Sequence, residues 1–295
     1  MRSSGAVLTA GHARGADFLT LAKPRLNLLV VASTMVGYVM GGGLISDVPL
    51  MALTFIGTAL VAGGASAFNQ VYERIADGQM RRTRLRPMAD GRLNPLEGLI
   101  FASVTSTAGL ALLATGVNVL SACVAAATLI TYVAIYTPLK PVTSFSTVIG
   151  AIPGALPPVI GWAAVQNALT PGAWILFGIV FLWQLPHFLA IAWMYREDYA
   201  RAGFPMLPVI EPDGRSTARQ SVLYAAALLP MSLMPTLAGL TTSTYFVGAL
   251  VLTLLFVGLA VRFAMTRSAG DARRLFFGSI TYLPLLWILM IAGRV

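Results

Sequence analysis

The amino-acid sequence predicts an all-α membrane protein in which nine transmembrane helices form one bundle around a central cavity. Three observations support this prediction: 57% of the 295 residues are hydrophobic, only 11% are charged, and long apolar stretches recur along almost the whole chain. Soluble domains carry roughly 25% charged residues. A hydrocarbon core about 30 Å thick requires about 17 to 25 apolar residues per helix, and each of these stretches is long enough.

The predicted helices follow one another closely, except that the connections after the second and sixth helices are long and rich in charge. We predict the helices at residues 26–45, 50–69, 96–115, 117–136, 145–164, 172–193, 218–239, 243–263 and 275–293. The connections leave no room for a further soluble domain. We therefore expect a single integral-membrane domain over residues 1–295, with residues 1–24 as a cytoplasmic N-terminal tail.

The net charge of +9 is explained by membrane orientation. Basic residues gather before the first predicted helix and in the connections that follow the second, fourth, sixth and eighth helices, which leaves only Arg294 on the opposite side. By the positive-inside rule, the N-terminus is cytoplasmic and the C-terminus lies outside. The prediction is a multi-pass protein of a bacterial cytoplasmic (inner) membrane with a periplasmic C-terminus, and not a nucleic-acid-binding protein.

The end of the second helix carries oxygen ligands at helical spacing. In NQVYERIADGQMRRTRLRP, residues 69–87, Asn69, Glu73 and Asp77 stand four residues apart and arginines follow them. Successive residues at this spacing lie about 40° apart around a helix, so the three side chains can face one point. An amide and two carboxylates suit Mg²⁺, which keeps water or phosphate oxygens as its other ligands. A helix that simply emerges into water would explain the charges, but it explains their alignment less well.

The end of the sixth helix carries a second charged cluster, within WQLPHFLAIAWMYRED at residues 183–198. An even number of helices separates the two clusters, so both lie on the same side of the membrane and can face one another across a cavity. His187 falls inside the predicted span, where a buried imidazole is costly and indicates a functional contact. A hydrogen-bonded core histidine is the alternative interpretation.

Prolines and glycines interrupt the fifth predicted helix. Pro153, Pro157 and Pro158 fall within IGAIPGALPPVIGW, residues 149–162. Proline removes a helical hydrogen bond, and a broken helix at membrane depth is tolerated where protein or a cavity surrounds it. The fifth helix is therefore expected to break and to lie at the centre of the bundle.

Together these features predict a substrate with a diphosphate head and a long hydrocarbon tail, which describes a prenyl diphosphate. Mg²⁺ and arginines would neutralise the charge that develops on the leaving diphosphate, so the allylic C–O bond can ionise. An electron-rich partner would then capture the carbocation. The membrane interior would keep water from capturing it first.

Three stretches, residues 69–87, 136–162 and 183–209, resemble the UbiA superfamily of intramembrane prenyltransferases, and most closely those members that farnesylate haem. The resemblance covers essentially the whole chain and implies a UbiA-like fold. It also implies that the farnesyl group of farnesyl diphosphate is transferred to the 2-vinyl group of haem B (protohaem IX), with addition of water, giving haem O and diphosphate. The implied partners are both substrates, Mg²⁺, the lipid bilayer and a haem A synthase that would receive the product.

The resemblance also implies roles for individual residues. The catalytic residues and Mg²⁺ ligands would be Asn69, Glu73, Asp77 and Asp198. The diphosphate would be bound by Arg81, Arg82, Arg84, Arg86, Lys140 and Arg196, and the haem by His187 and Tyr195. The second cluster departs from the superfamily pattern because Glu197 and Asp198 are adjacent and point about 100° apart on a helix, so only Asp198 is assigned.

Two other functions fit part of the sequence. A prenyltransferase of the same fold that acts on another aromatic acceptor, such as a quinone precursor or a chlorin, would share the Mg²⁺ site but would not explain His187. A small-molecule transporter would explain a broken helix. It would, however, be expected to carry ionisable groups near the bilayer midplane, whereas here the acids collect at helix ends.

Overall fold

The computed structural model describes residues 14–295, and their regular structure is helical apart from one isolated β-bridge between Thr241 and Arg294. This confirms the predicted all-α class. The helices are α1 (14–21), α2 (Pro24–Met40), α3 (Val48–Gln79), α4 (Pro95–Gly116), α5 (Val119–Ile130), α6 (Thr137–Leu139), α7 (Ser146–Ala155), α8 (Pro157–Gln166), α9 (Pro171–Met194), α10 (Arg196–Arg201), α11 (Leu207–Ile210), α12 (Arg215–Leu237), α13 (Ser243–Thr266) and α14 (Ala269–Ala292).

Eight segments of the described chain are long and apolar enough to cross a membrane: α3, α4, α5 to α6, α7 to α8, α9, α12, α13 and α14. Helix α2 is apolar but has only 17 residues. These nine segments correspond to the nine predicted helices. The chain is therefore a multi-pass membrane protein, and which side of the membrane each end faces stays a prediction.

Helix α3 continues ten residues beyond the apolar stretch that predicted it, from position 69 to Gln79. Asn69, at the end of the predicted stretch, and Gln70, Glu73 and Asp77 in the extension are all buried. The extension stays helical because neighbouring segments cover it instead of water. Hydropathy alone could not place this boundary, because it does not register which polar residues find partners within the fold.

The fifth predicted helix is broken, as expected. It consists of α7 and α8, which meet at Leu156 immediately before Pro157. Helix α8 packs directly against α2, because a Cβ atom added to Gly161 would lie 1.9 Å from the carbonyl oxygen of Thr34. Only glycine permits two helix backbones to approach so closely, and most of α8 is buried.

A π-helical turn, Thr131–Tyr136, joins α5 to α6 and was not predicted. The Thr137 hydroxyl donates a hydrogen bond to the carbonyl oxygen of Tyr132 at 2.8 Å across this turn. Single π-helical turns inside α-helices occur frequently at functional sites. This one changes the register of the helix just before Lys140, whose side chain reaches α3.

Part of the predicted N-terminal tail is folded. Residues 1–13 lie outside the described part of the chain, but residues 14–21 form α1 against the bundle. Leu21 is fully buried, and the rings of Phe18 and Phe101 lie 5.4 Å apart. This contact was not predicted, because α1 is short and has polar residues on its other face.

The ends of several helices meet at one end of the bundle, which we call the charged end. It comprises the last turns of α3, the connection from α3 to α4, the end of α9, and α10. The Arg82 guanidinium donates a hydrogen bond to the Tyr199 hydroxyl at 3.2 Å, which joins the two long connections. The two charged clusters therefore lie on the same side of the protein, as expected.

Candidate active site

Three polar side chains of α3 face the interior at the charged end. Asn69, Glu73 and Asp77 are 3%, 5% and 1% exposed. Buried polar groups require partners, and buried carboxylates require nearby positive charge. Each of the three side chains accepts a hydrogen bond from a basic residue of a different segment.

The two carboxylates form ion pairs with residues that the sequence analysis assigned to diphosphate. The Nζ atom of Lys140 lies 3.0 Å from both carboxylate oxygens of Glu73. The Nη1 atom of Arg86 lies 2.9 and 2.7 Å from the two carboxylate oxygens of Asp77. Burial by itself would lower the pKa of Lys140, but the nearby Tyr136 and Glu73 raise it above the ordinary value, so the ammonium stays charged.

Lys23 is the third basic partner, and the sequence analysis assigned it no role at the site. Its Nζ atom donates to the amide oxygen of Asn69 at 3.4 Å, and the Asn69 amide nitrogen donates to the Thr137 hydroxyl at 3.3 Å. Burial and the nearby Arg86 lower the pKa of Lys23 to about 7. The only feature of the sequence that could have indicated this role is the position of Lys23 directly before Pro24, at the start of the first spanning helix.

This arrangement suits a metal–diphosphate complex better than a bare cation. Carboxylate and amide oxygens are the donors that Mg²⁺ prefers. Within residues 14–295, however, no three His, Cys, Asp or Glu side chains are grouped closely enough to hold a metal ion. The residues present therefore fit Mg²⁺ if Asn69 and substrate phosphate oxygens complete its ligands. Lys140 and Arg86 balance the two carboxylates, and Lys23 adds a further positive charge when it is protonated, which favours an anionic ligand.

The second cluster forms a neighbouring wall of the site. Asp198 is buried in α10 and makes an ion pair with Arg201, whereas Glu197 is exposed. Tyr199 and Phe204 pack in the same apolar cluster as Met80, which directly follows α3. The structure thus places Asp198 at the charged end, but its hydrogen-bond partner is Arg201 and not a residue of α3.

A cavity of about 220 Å³ lies between α3, α6 and the connection that follows α10. Glu73, Thr137 and Phe204 are among its lining residues. The Lys140 ammonium lies 4.9 Å from the centre of the Phe204 ring, at the edge of this space. The cavity therefore brings apolar surface next to the Glu73 and Lys140 pair.

The predicted diphosphate-binding arginines divide into three groups. Arg82 lies over the Tyr195 ring at 4.9 Å, and Arg86 pairs with Asp77, so both are held at the site. Arg196 instead stacks on the Trp193 ring at 4.7 Å and donates to the Trp193 carbonyl oxygen. The side chains of Arg81 and Arg84 are exposed and make no hydrogen bond or ion pair within the described residues.

His187 is held in one orientation between α9 and α14. Its Nδ1 atom lies 2.7 Å from the Ser279 hydroxyl oxygen, and that hydroxyl donates its single proton to the Phe276 carbonyl oxygen at 2.6 Å. With the Ser279 proton directed to Phe276, Nδ1 is the donor to Ser279, and Nε2 keeps a free lone pair. The Trp183 and Phe276 rings stack on the imidazole at 5.4 and 5.0 Å. Nε2 makes no hydrogen bond within the described residues.

The chain is similar to known proteins over nearly its whole length. The model of the UbiA prenyltransferase family matches residues 30–283. A relative from Solibacter usitatus named "Protoheme IX farnesyltransferase" is 49% identical over 287 residues, which cover 94% of this chain and 98% of the relative.

Two solved structures share the fold. One is from a study of digeranylgeranylglyceryl phosphate synthase, with a TM-score of 0.79, 15% identity, and coverage of 94% of this chain and 97% of that one. The other is a UbiA homolog from Archaeoglobus fulgidus bound to GPP and Mg²⁺, with a TM-score of 0.65, 16% identity, and coverage of 93% and 99%. At this identity the likeness supports the fold alone.

Proposed function

Because this chain belongs to the UbiA prenyltransferase family, we propose that it transfers the farnesyl group of farnesyl diphosphate to the 2-vinyl group of haem B, with addition of water, giving haem O and diphosphate. One observation carries the choice of acceptor: the 49% identity to a protein named "Protoheme IX farnesyltransferase" over 94% of this chain. The buried ion pairs at the charged end support the choice of donor.

The diphosphate head would bind where the cations of the charged end converge. Lys140 and Arg86 are partly buried beside Glu73 and Asp77 and can turn their N–H donors to phosphate oxygens when the substrate arrives. Arg82 lies next to them, with Arg81, Arg84 and Arg196 as further donors. Glu73, Asp77, Asn69 and Asp198 would hold Mg²⁺, which neutralises charge on the leaving diphosphate when bound.

The haem would bind through His187 and Tyr195. The free lone pair of His187 Nε2 suits an axial position on the haem iron, since neutral imidazole is a common iron ligand. Tyr195 is 39% exposed, and Arg82 lies over its ring. In a haem held between these residues, the vinyl group would face the diphosphate site.

The chemistry follows from charge separation. The C–O bond of farnesyl diphosphate breaks, its electron pair leaves with the diphosphate, and Lys140 and the arginines stabilise the added charge. The terminal vinyl carbon of haem then forms a bond to C1 of the farnesyl cation. Water adds to the carbocation left on the haem side chain and loses a proton, which gives the hydroxyethylfarnesyl group. Aromatic and aliphatic side chains exclude other water until that step.

Residues 1–295 would form one integral-membrane domain of a bacterial cytoplasmic membrane, with a cytoplasmic N-terminus and a periplasmic C-terminus. The distribution of basic residues supports this orientation. A haem A synthase would consume the product.

The test is to incubate the detergent-purified protein with haem B, farnesyl diphosphate and Mg²⁺, with and without a chelator, and to follow the haem by mass spectrometry. We expect the haem to gain one farnesyl group and one water, and the gain to disappear with chelator. Transfer to a quinone precursor in the same assay, with unchanged haem, would overturn the proposed acceptor.

A further inference from the structure

An ion pair and a hydrogen bond link helix α1 to the connection that carries Arg86. Asp17 on α1 is buried and forms an ion pair with Arg92. The same arginine donates from Nη2 to the carbonyl oxygen of Leu85 at 2.7 Å, one residue before Arg86. The polar contacts from α1 therefore end at the peptide group that joins Leu85 to Arg86, the residue that pairs with Asp77.

The other end of α1 is hydrogen-bonded to α3 next to the site. The Gln70 side-chain amide donates to the carbonyl oxygen of Leu21 at 2.8 Å, and Gln70 directly follows Asn69 in α3. Two residues beyond Leu21, Lys23 adopts a left-handed backbone conformation with φ of 49°. This conformation is costly for residues other than glycine and persists only where surrounding structure holds it. It directs the Lys23 side chain to Asn69.

We propose that Asp17 and Gln70 are positioning residues for the diphosphate site. They hold α1 against the bundle so that Lys23 and Arg86 stay beside the buried oxygens of α3. This inference rests on the proposed function, because it takes the charged end as the diphosphate site. Neither residue reaches the reacting atoms; both act through the cations that they place.

The structure contains a matched control on the same helix. Arg14 forms a 2.8 Å ion pair with Glu97, but its side chain is 63% exposed. Exposed pairs are screened by water and contribute little. The Arg14 pair also joins α1 to the start of α4, and not to the connection beside Arg86. Its removal should leave the site unchanged.

The experiment compares the full-length variants Asp17→Asn, Gln70→Leu and Arg14→Gln. The measurements are KM for farnesyl diphosphate, KM for haem B, thermal unfolding, and calorimetric binding of an unreactive farnesyl thiodiphosphate. For Asp17→Asn and Gln70→Leu we expect about tenfold weaker binding of the thiodiphosphate and a similar rise in KM for farnesyl diphosphate, because small misplacements of binding groups are costly. KM for haem B should stay unchanged, and Arg14→Gln should match the wild type.

A charge reversal separates positioning from general damage. Asp17→Arg alone should weaken thiodiphosphate binding further. The double variant Asp17→Arg with Arg92→Asp should recover part of that loss, because it restores the ion pair but not the hydrogen bond from position 92 to the Leu85 carbonyl oxygen. The proposal is overturned if Asp17→Asn and Gln70→Leu bind the thiodiphosphate like the wild type. It is also overturned if they lose affinity for both substrates equally together with thermal stability. Wild-type turnover of haem B tests the proposed function separately, and thiodiphosphate binding does not depend on that outcome.

Discussion

The ammonium of Lys140 is equidistant from the two carboxylate oxygens of Glu73, at 3.0 Å each, and it joins the end of α6 to α3. Removing one partner of a buried pair leaves an uncompensated charge. We expect Lys140→Met to lower the free energy of unfolding by about 3 kcal/mol and to reduce turnover about 100-fold or more. Denaturation and haem farnesylation measured on the same preparation check both effects.

The double variant Lys140→Met with Glu73→Gln distinguishes stability from catalysis. It removes both charges, so most of the lost stability should return. Turnover should not return, because both a diphosphate donor and a carboxylate are missing. Recovery of activity along with stability would show that Lys140 serves only to neutralise Glu73.

Asp77→Ala should abolish turnover. The substitution removes a proposed Mg²⁺ ligand and frees Arg86, whose side chain is partly exposed and can remain solvated. The fold should therefore survive, as judged by an unchanged elution profile in detergent. Normal farnesylation by this variant would refute the assignment of Asp77.

Removal of divalent cations should stop farnesylation, and added Mg²⁺ should restore it. We expect this because Mg²⁺ would take some of its oxygen ligands from the buried carboxylates and the others from the substrate phosphates. Haem binding, followed by its visible absorption, should persist under the same conditions, because His187 needs no divalent cation. Full turnover after exhaustive chelation would contradict the proposed cofactor.

His187→Ala should weaken haem binding about tenfold or more while KM for farnesyl diphosphate stays near the wild-type value. Ser279→Ala should have a smaller effect in the same direction, because Nδ1 loses the partner that fixes the proton there and frees Nε2. Absorption titrations with haem B measure both. If neither variant changes the titration, the proposed haem contact is wrong.

Gly161→Ala should destabilise the fold, whereas Gly258→Ala should not. A Cβ atom on Gly161 would lie 1.9 Å from the Thr34 carbonyl oxygen, which belongs to a helix backbone and cannot move aside. Gly258 lies in another spanning helix, and no heavy atom lies within 4 Å of its added Cβ. Thermal unfolding of both variants in one detergent provides the comparison, and equal melting temperatures would contradict the packing of α2 on α8.

The spanning helices and the break before Pro157 could be predicted from the sequence because both depend on local properties. Hydrophobic length defines a membrane span, and proline interrupts a helix wherever it falls. The shared face of Asn69, Glu73 and Asp77 follows in the same way from the helical repeat. The similarity that identified the family also lies in continuous stretches of residues.

The tertiary structure decided which groups meet those three oxygens. Lys23, Arg86 and Lys140 come from three separate segments, and only the packing of α1, the α3 to α4 connection and the π-helical turn brings them to one place. The same packing directs Arg196 to Trp193 and gives His187 its partner in Ser279. Burial of apolar surface packs the helices, and a charge buried with them costs free energy unless an opposite charge from another segment pairs with it. No local pattern in the chain records which segment supplies that partner.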